Sequence, residues 1–106
     1  MTKEEVYKAM ENELKESYYP VIENNFIFSS TTDSNEIEKF YRYLIMADKG
    51  TYYMESKRHA PRASYYYGGV WTLADSCGNF VAVAHVETVW NGEHHVWKGE
   101  VKYLDK

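Results

Sequence analysis

Apolar and polar positions alternate most regularly over residues 80–104, FVAVAHVETVW-NG-EHHVWKGEVKYL. Successive side chains of a strand point to opposite faces, so a period of two marks a strand with one covered face. Asn91-Gly92 between two such runs predicts a hairpin, because both residues tolerate the positive φ that a type I′ turn demands. With a two-residue turn, Trp90 faces Glu93 and Phe80 faces Tyr103. One face then carries Phe80, Ala82, Ala84, Val86, Thr88 and Trp90 beside His95, Trp97, Gly99, Val101 and Tyr103. It is mostly apolar, with small residues at its centre where a helix can approach. The other face, with Val81, Val83, His85, Glu87 and Val89 beside His94, Val96, Lys98, Glu100 and Lys102, is mixed.

Upstream the period lengthens to that of helices. Thr2 and Glu5 have the spacing of a capping box, and Tyr7, Met10 and Leu14 follow at i, i+3, i+7, which predicts a helix over residues 3–17. Pro20 disfavours helical geometry at Tyr19 and marks a stop. Residues 21–32 read as a strand or extended connection centred on 26–29, the alternative being a helix begun at Pro20. Asp33 and Glu36 form a second capping pair. Ile37, Phe40, Tyr41, Leu44 and Ile45 then make a wide apolar face, and Gly50 suits a helix end. This second helix is expected to cover the apolar face of the sheet. Residues 51–57 read as a strand, 58–64 as a loop, and 65–75 as the next strand with a bulge at Gly68-Gly69. Residues 75–79 suit a three-residue hairpin loop with a glycine bulge, which pairs Ala74 with Phe80. The expected fold is α+β: two N-terminal helices packed on one face of a four-stranded antiparallel β-meander, in one domain spanning 1–106.

Composition narrows the class. The chain has 106 residues, of which 44% are hydrophobic, 26% charged and 17% aromatic, with eleven tyrosines. That is a globular composition with an excess of a side chain suited to half-buried and binding surfaces. A lone cysteine, Cys77, leaves no internal disulfide and fits a reducing compartment. The charged N-terminal stretch has no apolar core of a secretory signal, and no run nears the ~20 apolar residues that span a bilayer. The expected location is the cytoplasm. The net charge of −4 is uneven: residues 51–70 hold three basic side chains against one acidic, and the remainder is acidic.

Candidate chemistry is sparse. His85, His94 and His95 gather near Glu87, but adjacent His94 and His95 point to opposite strand faces, and two ligands do not make a zinc site. Surface histidines on a wet face account for them, so neither metal nor cofactor is expected. Cys77 sits beside Asp75, which disfavours the thiolate a nucleophile needs. Glu87 with His85, His94 and Tyr67 is the best polar constellation for a small-ligand pocket or acid–base chemistry. Residues 57–67, KRHAPRASYYY, mix fixed positive charge with rings that can stack on bases, a weak nucleic-acid signal in an acidic domain.

The inferred β-turn places Trp71, Leu73 and Tyr67 on the mixed face, away from the helices. Large apolar groups left exposed usually mark a partner or self-association. The expected function is therefore a small non-enzymatic module that binds and masks another protein. Tyr65, Tyr67 and Trp71 would anchor the contact and Arg58 and Arg62 would pair with acidic groups. A second copy of the chain is the other occupant considered, and no membrane contact is expected. The order of helices before a meander resembles the layout of cystatin-like and NTF2-like folds, on architecture alone, which implies a pocket between helix and sheet as the competing function. Compact, acidic, tyrosine-rich single domains also resemble inhibitors encoded by phages and mobile elements, of the anti-defence or immunity type.

Overall fold

A computed structural model of the chain describes residues 1–17, 24–47, 64–67 and 69–105; of residues 16–17 and 65–67 the backbone alone is described. The fold is α+β. Its elements are α1 (Lys3–Ser17), β1 (Asn24–Thr31), α2 (Ser34–Met46), β2 (Ser64–Tyr67), β3 (Val70–Ala74), β4 (Phe80–Trp90) and β5 (His95–Leu104). The strands form one sheet in the order β1-β5-β4-β3-β2.

Local chemistry starts both helices. At α1 the backbone N–H of Thr2 donates to Glu5 Oε1 at 2.9 Å and that of Glu5 to Thr2 Oγ1 at 3.2 Å, the reciprocal bonds of a capping box. The buried stripe is Val6, Met10 and Leu14. Tyr7 lies to one side, its ring 6.4 Å from that of Phe28 and its hydroxyl accepting from Asn24 Nδ2. At α2 the Asp33 carboxylate accepts from the N–H of Asn35. The expected reciprocal bond from Glu36 is replaced: the Asp33 N–H goes to Thr31 Oγ1 at 3.1 Å, and the Glu36 carboxylate pairs with Lys39. The helix ends at Met46 with Ala47 as its cap, so the glycine end read at Gly50 lies outside the described residues.

The sheet is mixed rather than a purely antiparallel meander. Strands β2 to β5 form the meander, but β1 joins β5 in parallel over an unbroken register from Asn24 with Trp97 to Thr31 with Leu104. The stretch read as one bulged strand, 65–75, is instead a hairpin. Tyr67 pairs with Val70, and Gly69, at φ 96°, makes the reversal that a residue with a Cβ adopts at a cost. The strand expected at 51–57 lies outside the described residues.

Two register details decide which side chains go where. At the β4–β5 loop, Trp90 pairs with His95, so the connection is four residues long. Asn91 does not act through its own backbone freedom alone. Its side-chain Oδ1 accepts from the N–H groups of both Glu93 and His94 at 2.9 Å and closes the wider loop. The pairing is displaced by two residues from the expected one, and a displacement by two preserves the faces. At the β3–β4 loop, Ala74 does pair with Phe80, and Asp75 Oδ1 accepts from the N–H groups of Cys77 and Asn79. Leu73, however, pairs with Ala82, leaving Val81 as an extra residue. This bulge moves Phe80 to one face and returns Trp71 and Leu73 to the other.

The two helices therefore do not share a face. Val6, Met10 and Leu14 of α1 pack on Trp71, Leu73, Ala82, Ala84, Val86, Trp97 and Val101. Ile37, Tyr41 and Leu44 of α2 pack on Val70, Phe80 and Val83. The physical reason is that the "mixed" face holds enough apolar surface for one helix, because the bulge adds Phe80 to Val83; Tyr41 and Phe80 rings lie 4.8 Å apart. The close approach expected of a helix at Gly99 comes from a neighbouring strand instead. A Cβ there would lie 1.8 Å from the carbonyl oxygen of His85.

Candidate functional site

The α2 face is only partly covered, and what remains open is built from three strands. Two cross-strand rows run side by side. Ile27 of β1 pairs with Glu100 of β5, which pairs with His85 of β4; Asn25 pairs with Lys98, which pairs with Glu87. All six side chains point to one face by strand alternation. The C-terminal half of α2 overhangs them through Tyr43 and Leu44, leaving a half-open depression of about 320 Å³. Opposite charges alternate along β5, where Lys98, Glu100 and Lys102 occupy the same face, and the Lys102 ammonium sits 5.8 Å from the centre of the Phe40 ring.

The rim is apolar and exposed at Ile27, 69% exposed, and Tyr43, 57% exposed. Tyr43 follows Phe40 at i+3, to one side of the buried stripe of α2, and the two rings stack with 14° between planes; Met46, at the end of the helix, lies on the side away from that stripe. Surface this apolar gains nothing for the isolated fold.

The residues read from sequence divide accordingly. His85 and Glu87 do line one depression. His94 does not join them: it belongs to the β4–β5 loop, with its ring near Asn91, because the longer loop takes it out of the ladder. His95 lies against the Trp90 ring at the same end. Trp71 is the correction that matters most. It is fully buried beneath α1, its indole N–H donating to Ser64 Oγ at 2.8 Å, so it does not stand on an open surface. The cause is the Val81 bulge. Tyr65 and Tyr67 pair with Thr72 and Val70 in β2, with side chains outside the described residues; Arg58 and Arg62 lie outside them altogether. Cys77 is exposed in the β3–β4 loop.

Ile27, Tyr43, Asn25, Lys98 and Glu100 are the site residues that sequence reading missed. A signal existed for Tyr43, which extends the apolar side of α2 past the width its core needs. None existed for Ile27, whose row depends on a parallel partner far along the chain. A second depression, about 430 Å³, lies at the other end of α2 between Asn35, Glu38, Asp75 and Asn79. Its Asp75 carboxylate is already engaged by its own loop.

Among the described residues, no three His, Cys, Asp or Glu side chains gather as metal ligands, and no helix is long and apolar enough to cross a membrane. Compared with protein-family models, curated proteins and solved structures, the chain matches none.

Proposed function

We propose that the protein is a non-enzymatic module of the cytoplasm that binds and masks another protein through the open part of its α2 face. The observation that carries this reading is the joint exposure of Ile27 and Tyr43 over a floor that holds charges of both signs. A large aromatic and a branched aliphatic group supply the buried centre of a contact, and polar groups around them supply its orientation. Lys98 with Glu87 and Glu100 offers both signs to a partner, so the contact selects by charge pattern rather than by net charge. Masking of this kind matches what small acidic inhibitors and immunity proteins do. Arg58, Arg62, Tyr65 and Tyr67 are proposed for a second contact region; Trp71, buried beneath α1, has no part in it.

The test is affinity capture with the intact chain and with Tyr43→Asp, both checked for an unchanged near-UV spectrum. One protein recovered in stoichiometric amount by the parent and lost from the variant supports the reading. A protein held equally by both sinks it for this surface.

The same depression favours a second reading, a small polar ligand held by His85, Glu87 and Lys98. A ligand that raises the melting temperature of the parent but not of Glu87→Gln would favour this alternative.

A further inference from the structure

We infer that two copies of the chain pair through the outer edges of their β1 strands, antiparallel about a two-fold axis at Ile27, to make one continuous sheet. Strand β1 ends the strand order, and among the described residues nothing pairs with its outer edge. Its outward backbone groups can be assigned. The carbonyl of Thr31 accepts from the N–H of Asp105 at 2.8 Å, so Thr31 faces β5. Strand residues alternate in the side to which their N–H and C=O point, so Asn25, Ile27 and Ser29 face β5 as well. Asn24, Phe26, Phe28 and Ser30 present theirs outward.

Soluble proteins blunt such an edge with charge, proline, a bulge or shortness. The eight residues of β1, NNFIFSST, have no charged side chain, no proline and no glycine, and their register on β5 is unbroken. The opposite edge is β2, of which four residues are described. The chain as a whole carries a net charge of −4, so two copies repel over much of their surface, and β1 is a neutral strip where they can meet.

The strip is also self-complementary. Residues directly opposite in an antiparallel pair share a face, and the outward-pointing positions are symmetric about Ile27. The two-fold axis there sets Phe26 against Phe28 of the second copy and Asn24 against Ser30 of the second copy, so all four open residues exchange backbone hydrogen bonds. Phe26 and Phe28, half-buried on the α1 side and already edge-to-face with each other, gain aromatic neighbours across the axis. On the α2 side Asn25 meets Ser29 of the second copy, and Ile27 meets Ile27 of the second copy as a non-hydrogen-bonded pair, the closer kind, with Cα atoms ~4.5 Å apart. The two exposed rims then adjoin. This inference does not rest on the masking reading, although it buries Ile27, which that reading leaves open; the test concerns the purified chain alone.

Light scattering on the eluting protein, joined to cysteine crosslinking, is the experiment. The expected mass is twice the chain's 12.5 kDa, falling to the single-chain value in Ile27→Lys, which sets two ammonium groups against each other. In a Cys77→Ser background, Ile27→Cys should oxidise to a disulfide-linked dimer, the Cα spacing being within disulfide reach, whereas Ser29→Cys, set opposite Asn25, should not. A single-chain mass at every concentration overturns the inference. So does a dimer that crosslinks at position 29 and not at 27, or one that persists in folded Ile27→Lys without crosslinking at 27. Should Ile27→Lys fail to fold, the crosslinking pair decides.

Discussion

The indole N–H of Trp71 donates to the hydroxyl of Ser64 at 2.8 Å, joining the largest fully buried side chain to the first residue of β2. A buried donor left without its acceptor carries a desolvation penalty, so Ser64→Ala should destabilise the fold by about 1–3 kcal/mol. Ser64→Thr, which keeps the hydroxyl, should cost less. Urea unfolding followed by tryptophan fluorescence measures both; equal costs would mean that the hydroxyl is not the cause.

Gly99 and Gly78 separate two reasons for glycine. A Cβ at Gly99 would meet backbone atoms of His85 and Val86, which cannot swing away as a side chain does. Gly99→Ala should cost about 3 kcal/mol or more and reduce soluble yield. Around Gly78 nothing lies within 4 Å, and only its φ of +84° opposes a side chain. Gly78→Ala should cost about 1–2 kcal/mol. Denaturation midpoints of the two variants should fall in that order.

Leu14 and Ile37 are both fully buried, one under each helix, with the sheet between them. Either residue replaced by alanine should cost about 2–5 kcal/mol. The double variant should equal the sum to within about 0.5 kcal/mol, because the two sites share no packing neighbours. A clear departure from additivity would show that the faces communicate through the sheet.

Glu5 gives a sign-defined pH effect. Donation from the Thr2 backbone N–H, then from its hydroxyl, outweighs a small burial effect and holds the carboxyl below its ordinary value of 4.5, with the N-terminal ammonium assisting. A folded-state pKa below the unfolded one means that the ionised form stabilises the fold. The contribution is therefore fully present above about pH 4.5 and disappears as pH falls through the lower folded value. Thermal melts of the parent and Glu5→Gln should converge in acid and separate near neutrality, with the parent the more stable.

The helices were legible because their signals are local. A capping box, a stripe at three and four residues and a polar remainder all lie within one segment, and the predicted limits of α1 are the observed ones. Errors arose where one residue changed the count. FVAVAHV alternates without a visible break, so nothing in it announces that Val81 is extra, and that residue decides whether Trp71 is core or surface. The Gly68-Gly69 pair carried a hairpin signal that its setting within a run of aromatics obscured. Strand β1 was recognisable as extended, but its parallel partner is set by packing on both faces. His85 and Glu87 were found because they share a strand and a face. Ile27 and Tyr43 were not, since their exposure depends on how three separate elements end.

The parallel junction of β1 with β5 also bears on how the chain is made. Ser29 reaches the carbonyl of Val101, 72 residues further on. During synthesis β1 emerges long before the strand that shelters one of its sides, so a nascent chain ending anywhere between them displays NNFIFSST with both edges open. Parallel pairing across so long a span is intrinsically slow. An uncharged, β-prone segment in that condition invites pairing with other chains. Yield of this protein should therefore depend on expression temperature and on chaperone supply more than its small size would suggest.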